Sequence, residues 1–342
     1  MALCKEAGDT RGMSIACSNV GRIFRLQGDF STALEYFRKD LKICVEMNDR
    51  KGIGYTLGNM GSIYGSIEDL HRARICFSKS LEISEECDDK FGISMSVGSI
   101  GLVNLVEHKY DEALLCFQRQ LAVAMELGDQ FSIGYATGNL GTLHAKKGEF
   151  ETAVDQLKEK LQISKEMGYQ QGVCIALFEL GRVSKATGHI EAALRYVDEA
   201  ITLGRKLKLM DYVCGFLKEK AELMLLSGRI AELEKIESIN DEASEIAEHV
   251  GKSDVIFGAK LLKARITAAR GNIEEATEAL MEVADQHPDE IKQASIYYTI
   301  TGITGDHEYR QKARNLYERL YENIPDYEFK CRIEEMKSAQ TT

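Results

Sequence analysis

The sequence predicts an all-α protein, folded as a solenoid of about eight helix pairs with one further helix at its end. A skeleton of small and aromatic residues returns every forty residues through five copies. Within each copy, apolar residues recur at helical spacing, and the 342 residues contain only two prolines. Self-similarity at a fixed period of this size is the signature of a solenoid. The scarcity of proline suits a chain that is nearly all helical.

Each forty-residue unit reads as two helices joined by a short turn. The second copy contains Gly-Asn-Met-Gly-Ser-Ile-Tyr over residues 58–64, followed by Ala73 and Phe77. Equivalent residues stand at multiples of forty positions on either side: Asn19, Gly21, Ala33 and Phe37 upstream, and Gly101, Ala113, Phe117, Asn139, Gly141, Ala153, Gly181 and Ala193 downstream. Glycines such as Gly28, Gly148 and Gly188 stand where the first helix should end, because glycine adopts the left-handed conformation of a helix C-terminus.

Five glycines fall inside the first helix of successive units, where each costs about 1 kcal/mol relative to alanine. They are Gly21, Gly61, Gly101, Gly141 and Gly181. Because the cost is repeated in register, we expect close contact with the second helix, at the small residues Ala33, Ala73, Ala113, Ala153 and Ala193.

This pattern resembles the tetratricopeptide repeat, with its small residue in the first helix, glycine at the turn, and alanine and phenylalanine in the second. The common unit has about 34 residues, so a forty-residue unit indicates longer helices. Its Gly-Asn-x-Gly core and Gly-Asp start are similar to the repeats of partner-of-inscuteable spindle adaptors. Similar repeats occur in the C-terminal arrays of bacterial multidomain cyclases and kinases. The resemblance implies a right-handed superhelix whose first helices line a concave surface.

The predicted organisation follows the register of the repeat. Residues 1–8 read as part of the second helix of a truncated repeat, and residues 9–208 as five regular repeats. Residues 209–325 read as three more divergent repeats, and residues 326–342 as a capping helix with a loose tail. Because the chain opens in the middle of a repeat, we expect it to be a fragment of a longer parent. We also expect weak self-association through this N-terminal end.

Composition limits the classes of partner and compartment. A net charge of −11 argues against nucleic acid and against an anionic membrane surface as partners, since both need basic patches. The nine cysteines follow the repeat and form no Cys-x-x-Cys motif, so we interpret them as core residues of a reducing compartment. No apolar run is long enough to span a bilayer. The sequence therefore favours a cytoplasmic protein.

No set of residues predicts catalysis. The chain lacks a phosphate-binding Gly-x-x-x-x-Gly-Lys-Ser/Thr loop, a dinucleotide fingerprint and a His-Glu-x-x-His metal motif. It also lacks the Gly-x-Ser-x-Gly elbow of hydrolases. We therefore expect no enzymatic activity, no cofactor and no metal site.

The candidate binding site is a stripe on the first helices, opposite the core. Residues at steps of four, three and four share one helical face, and the resemblance places that face in the concave groove. The predicted groove residues are Asn19, Arg22, Tyr55, Asn59, Ser62, Met95, Ser99, Tyr135, Asn139, Thr142, Lys146 and Arg182. The asparagine amides could pair with the backbone of a bound peptide. The alternative is that Asn19, Asn59 and Asn139 bond to the preceding helix and order the stack.

Two functions fit these observations. The first is a non-catalytic scaffold that binds a peptide or partner helix in the concave groove. The second is the C-terminal regulatory or sensor module of a larger signalling enzyme, with a nucleotide cyclase or kinase domain upstream. An acidic or C-terminally charged ligand is slightly favoured, because basic residues such as Arg22 and Arg182 lie toward the two ends of the stripe.

Overall fold

The computed structural model describes residues 8–338, and in this range it contains seventeen α-helices and no strand. The first helices of eight successive pairs are α1 (Thr10–Leu26), α3 (Arg50–Ser66), α5 (Lys90–Val106), α7 (Gln130–Lys147), α9 (Gln170–Ala186), α11 (Met210–Leu226), α13 (Ser253–Ala269) and α15 (Glu290–Thr304). The second helices are α2 (Phe30–Glu46), α4 (Leu70–Glu86), α6 (Tyr110–Leu127), α8 (Phe150–Glu166), α10 (Ile190–Lys206), α12 (Leu233–Val250), α14 (Ile273–Gln286) and α16 (His307–Asn323). A single helix, α17 (Tyr327–Ser338), follows.

This arrangement confirms the predicted all-α solenoid. Each helix packs on the next one in the chain, and first helices of adjacent pairs also touch, as α3 does α5 and α11 does α13. The partial helix expected over residues 1–8 falls almost wholly outside the described residues, as does the tail beyond residue 338.

The turns divide each repeat into two halves of equal length. A residue with positive φ stands every twenty residues from Gly8 to Gly228, and the helix between two such residues is seventeen or eighteen residues long through α11. Five of these positions hold residues other than glycine, among them Asn48, His108 and Lys208. The regular spacing ends at Gly228, after which the next left-handed residues are Gly251, Gly271 and Gly305.

Aspartates start several of the helices that follow these turns. The carboxylates of Asp29, Asp49 and Asp69 each accept a hydrogen bond of 3.0 Å from the backbone amide three residues on. This is the N-cap arrangement that satisfies an otherwise unpaired amide of the first turn. The Gly-Asp pairs of the sequence are therefore a helix stop followed by a helix start.

The interior glycines make the close contact that their repetition predicts. A Cβ at Gly21 would lie 3.0 Å from the ring of Phe37, and at Gly61 it would lie 2.7 Å from Phe77. The same relation joins Gly101 to Phe117, Gly141 to Leu157 and Gly181 to Val197. In each repeat, the closest atoms thus belong to the large residue four positions after the repeated alanine. The alanines themselves are fully buried. Small residues on one helix let a large side chain of the other fill the space between them.

The superhelix turns tightly enough for late repeats to pack on early ones. The turn after α1 is covered by α12, since a Cβ at Gly28 would lie 2.7 Å from Val250. One buried apolar cluster joins Phe30 and Phe77 from the first two repeats to Ala247 and Val255 from the sixth and seventh. Glu68, in the turn after α3, accepts a 3.0 Å hydrogen bond from the Asp254 amide and another from the Ser253 hydroxyl.

Helix α17 also packs on early repeats, farther along the superhelix. The Tyr110 hydroxyl donates a 2.5 Å hydrogen bond to Asp326, which is 1% exposed. The ring of Tyr327 packs edge-on against Phe150 with centroids 4.8 Å apart, and Lys146 lies 3.6 Å from Asp326. The start of α17 is therefore anchored to the turns of the third and fourth repeats.

Among residues 8–338, every helix is too short or too polar to cross a membrane.

Candidate ligand cavity

A cavity of about 1310 Å³ lies inside the superhelix, along its C-terminal half. Its walls are the inner faces of the first helices α7, α9, α11, α13 and α15, together with α17. Helix α17 takes the place that the first helix of a ninth pair would have, and its anchorage to the early turns closes the cavity on that side. The fold-back of the superhelix thus adds a wall to the groove on this side.

Charged side chains form the middle of the cavity wall. The Lys185 ammonium lies 2.8 Å from Glu219 and 3.1 Å from Glu222. Lys218 lies 3.5 Å from Glu219 and 3.4 Å from Glu222, and Arg265 lies 3.5 Å from Glu222. We call these five residues the central charge cluster. Three helices, α9, α11 and α13, meet through it.

The central charge cluster holds its carboxylates ionised. Burial alone would raise the pKa of Glu222, but Lys218, Lys185 and Arg265 hold that pKa well below its ordinary value. Burial also opposes the charge on Lys218, yet Glu222 and Glu219 raise the pKa of the ammonium. Opposite charges at these distances favour the charged form of both partners. The wall therefore stays charged across the physiological pH range.

Helix α17 contributes a second polar wall. Arg332 pairs with Glu328 and with the Tyr317 hydroxyl, and it lies over the rings of Tyr298 and Tyr317, at 4.9 and 5.3 Å from their centroids. The Arg332 guanidinium lowers the pKa of Glu328 to about 2. The Tyr298 hydroxyl donates to Glu335 one turn farther along. These contacts fix α17 against α15 and α16.

Apolar side chains also line the cavity. Leu225, Leu261 and Ile303 line the cavity, together with Phe257 and the half-exposed Leu226. Such a mixture of apolar surface and placed charges is typical of binding sites.

Comparison with known proteins agrees with this architecture. Two family profiles described as tetratricopeptide repeat match residues 16–51 and 55–87. Residues 16–51 and 55–87 are thus tetratricopeptide repeats. The profile of anaphase-promoting complex subunit 5 matches residues 100–176 and 168–214. A search of curated protein sequences gives no significant match.

Solved structures with this tetratricopeptide fold include bacterial and archaeal signalling proteins. A Rap protein complexed with competence and sporulation factor has a TM-score of 0.55 and 16% identity, covering 77% of this chain and 76% of that one. Aspartyl phosphate phosphatase F from Bacillus subtilis has a TM-score of 0.50 and 15% identity, covering 79% and 73%. A signal transduction ATPase with a tetratricopeptide sensor from Pyrococcus horikoshii has a TM-score of 0.52 and 14% identity, covering 90% of this chain and 48% of that one. At these identities the likeness concerns the fold.

Three of the residues predicted for the groove line the cavity: Thr142, Lys146 and Arg182. The other nine lie outside its wall, mostly on the first helices of the early repeats. Among them, Asn19, Arg22 and Tyr55 are exposed. Half-buried positions are taken by Asn59, Ser62, Met95, Ser99 and Tyr135.

Several predicted groove residues have polar partners within the protein. The hydroxyls of Ser62, Ser99 and Thr142 donate to backbone carbonyls four residues back in their own helices. The Tyr55 hydroxyl donates a 2.6 Å hydrogen bond to Asp89 at the start of the next repeat. These four hydroxyls therefore have acceptors within the protein.

Asn139 has the structural role that the sequence offered as an alternative. It is 6% exposed, and its amide donates a 3.0 Å hydrogen bond to the Gln120 carbonyl oxygen on α6. Two nearby glycines, Gly98 and Gly138, accommodate the side chains of Gln120 and Lys160. Both side chains come from second helices and pass beneath the first helices.

The sequence contains a signal for the central charge cluster, in residues at fixed offsets before the turn glycines. Glu179 and Arg182 stand nine and six residues before the turn glycine Gly188. The same offsets before Gly228 give Glu219 and Glu222, and the six-residue offset before Gly271 gives Arg265. Aligning the irregular repeats on their turn glycines therefore extends the inner stripe through the cavity.

Proposed function

We propose that this protein is a non-catalytic binding protein that holds an extended peptide or a segment of a partner protein in the cavity. The carrying observation is the cavity itself, a walled space of about 1310 Å³ on the inner face of the superhelix. Pockets for small molecules occupy roughly 300–1,000 Å³, so this volume favours a polypeptide segment. The similar Rap structure is a complex with competence and sporulation factor.

The wall supports this function in a second way. Seven basic and six acidic residues line the cavity of a chain whose net charge is −11. The excess of positive charge lies where a ligand would bind, so it favours a ligand with at least one acidic group. The apolar stretch of Leu225, Leu261 and Ile303 provides area for the remaining side chains of the ligand.

A second function, as the sensor module of a larger signalling protein, also has support. Ninety percent of this chain aligns with 48% of the Pyrococcus horikoshii signal transduction ATPase, whose tetratricopeptide region is described as a sensor. The two proposals are compatible, because a sensor acts by binding. The parent gene upstream of residue 1 tests it: a catalytic domain in the same reading frame supports a sensor, and its absence contradicts one.

Selection of peptides followed by blocking of the cavity tests the binding function. Short random peptides displayed on phage are selected on the full chain, and their dissociation constants are measured by fluorescence anisotropy. Gly302 lines the cavity, and a Cβ there would meet no atom within 4 Å, so G302W fills space without displacing the core. We expect G302W to weaken binding at least tenfold, about 1.4 kcal/mol.

The control is K158W, which adds the same ring at an exposed position of α8 away from the cavity. Peptides that bind the wild type and both variants equally would place the binding site elsewhere.

A further inference from the structure

Lys160 on α8 is a buried ammonium group without an ion-pair partner. Its residue is 6% exposed, and among residues 8–338 no carboxylate lies within ion-pair distance of it. The ring of Tyr135 lies 5.9 Å from the ammonium. A buried charge without a partner is unfavourable by several kcal/mol.

The register of the repeat identifies the carboxylate that this lysine should meet. Gln120, one repeat earlier, bonds Asn139, which is nineteen residues farther along. The residue nineteen positions after Lys160 is Glu179. Glu179 instead lies 3.4 Å from Arg182 on its own helix. Its charge nevertheless acts on both bases, raising the pKa of Lys160 and that of Arg182.

Arg182 is the partner that a ligand can reach. It lines the cavity, and its side chain is 39% exposed, against 15% for Glu179. Its ion pair with Glu179 is a single contact between residues three apart on one helix. A single contact of this kind is weaker than a bidentate arginine–carboxylate pair.

We propose that Arg182 is the anchor for a ligand carboxylate, and that Glu179 exchanges its partner from Arg182 to Lys160 when the ligand binds. Before binding, Glu179 is paired with Arg182, on which Glu219 and Glu328 also act from farther away. Lys160 then lacks a carboxylate at ion-pair distance among residues 8–338. The ligand supplies the second carboxylate, so that every charge is paired afterwards. Rotation of Glu179 toward Lys160 reproduces the geometry of the Gln120–Asn139 pair, and Gly138 already leaves room for the lysine side chain.

The low proton affinity of Lys160 agrees with this exchange. Burial lowers the pKa of Lys160 to about 8, and Glu179 opposes that shift only in part. Approach of Glu179 to hydrogen-bond distance would move the pKa back toward the ordinary value of about 10.4. Lys160 therefore reports the position of Glu179. The inference rests on the proposed function, since it concerns a ligand in the cavity.

Titration of Lys160 by NMR, with lysine side chains labelled in the full chain, tests the exchange. Two carboxylate probes are compared: N-acetylglycine for a peptide C-terminus and the α-amide of N-acetylglutamate for an acidic side chain. We expect at least one probe to raise the pKa of Lys160 by about one unit or more. R182Q should abolish the response. In E179Q the probe should bind more tightly but leave the pKa of Lys160 unmoved.

A double-mutant cycle separates exchange from direct binding to Lys160. K160Q carries the residue that the preceding repeat holds at this position, and K158Q is the matched control on the surface of α8. We expect K160Q to weaken probe binding severalfold in the wild type and to have no effect in the E179Q background.

An equal effect of K160Q in both backgrounds would overturn the exchange, as would a Lys160 pKa that neither probe moves. Failure of the exchange leaves the proposed function standing if G302W still blocks the selected peptides. Loss of the G302W effect would remove the proposed function itself.

Discussion

Single residues show most clearly how this fold is specified. Glycine inside a helix is unfavourable, yet five glycines recur in register because a large side chain of the partner helix fills the place of their Cβ. Not every glycine has this role. Gly65, near the end of α3, would place a Cβ in open space. Substitution by alanine should therefore change the stability in opposite directions at Gly101 and Gly65.

We predict that G101A lowers the stability of the protein and that G65A raises it. A Cβ at Gly101 would lie 2.5 Å from the ring of Phe117, so the overpacking should cost about 1–3 kcal/mol. At Gly65 the gain in helix propensity should be up to about 1 kcal/mol. Urea denaturation midpoints of the two variants measure this. A stabilising G101A would show that the pair of helices separates easily.

The pH dependence of stability should reveal the buried Lys160. Its pKa in the folded chain, about 8, lies below that of an unfolded lysine, about 10.4. Between these values the unfolded chain binds more protons, so the free energy of unfolding rises with pH. The full contribution is on the order of 3 kcal/mol. We expect the wild type to gain stability relative to K160Q between pH 8 and about 10.4, and parallel curves would contradict the shift.

At the scale of helices, local sequence determines nearly everything. The predicted helix pairs and turn glycines are present, because each depends on residues within one repeat. The cavity was predicted only at Thr142, Lys146 and Arg182. Its other walls depend on a register change after Gly228 and on the docking of α17 against α7. Such contacts join residues far apart in sequence, which a single repeat does not encode.

The docking of α17 should depend on Tyr327. Its ring packs on Phe150 and covers Gly148, where a Cβ would overlap it. We predict that Y327A makes the amides of α17 exchange with deuterium faster while those of α3 keep their rates. Y321A, at an exposed tyrosine of α16, is the control. Unchanged exchange in α17 would mean that Tyr110 and Lys146 suffice to hold Asp326 and the helix.

Across the whole molecule, the fold-back links repeats that are distant in sequence. A simple solenoid has contacts only between neighbouring repeats, which makes stability additive along the chain. Here the second repeat supplies a cap to the seventh, because Glu68 accepts the Asp254 amide while Lys252 at the start of α13 caps nothing through its side chain. The early and late repeats should therefore open together.

Removal of this distant cap measures the coupling. We expect E68A to accelerate deuterium exchange over residues 253–258, with a loss of about 0.5–2 kcal/mol as for other lost N-caps. E46A, which removes an exposed carboxylate paired with Lys42 across one helical turn, should leave that segment unchanged. Equal exchange rates in E68A and E46A would show that the contact of Glu68 with α13 does not couple the second repeat to the seventh.

Locating a bound peptide tests most directly whether ligands bind in the cavity. Photoreactive benzoylphenylalanine at Thr299, on the cavity wall, is compared with the same residue at Glu278, on the exposed face of α14. After selection of a peptide on the full chain, illumination and mass spectrometry locate the cross-link. If the peptide binds in the cavity, we expect cross-linking from position 299 and none from position 278. Cross-linking from position 278 alone would contradict binding in the cavity.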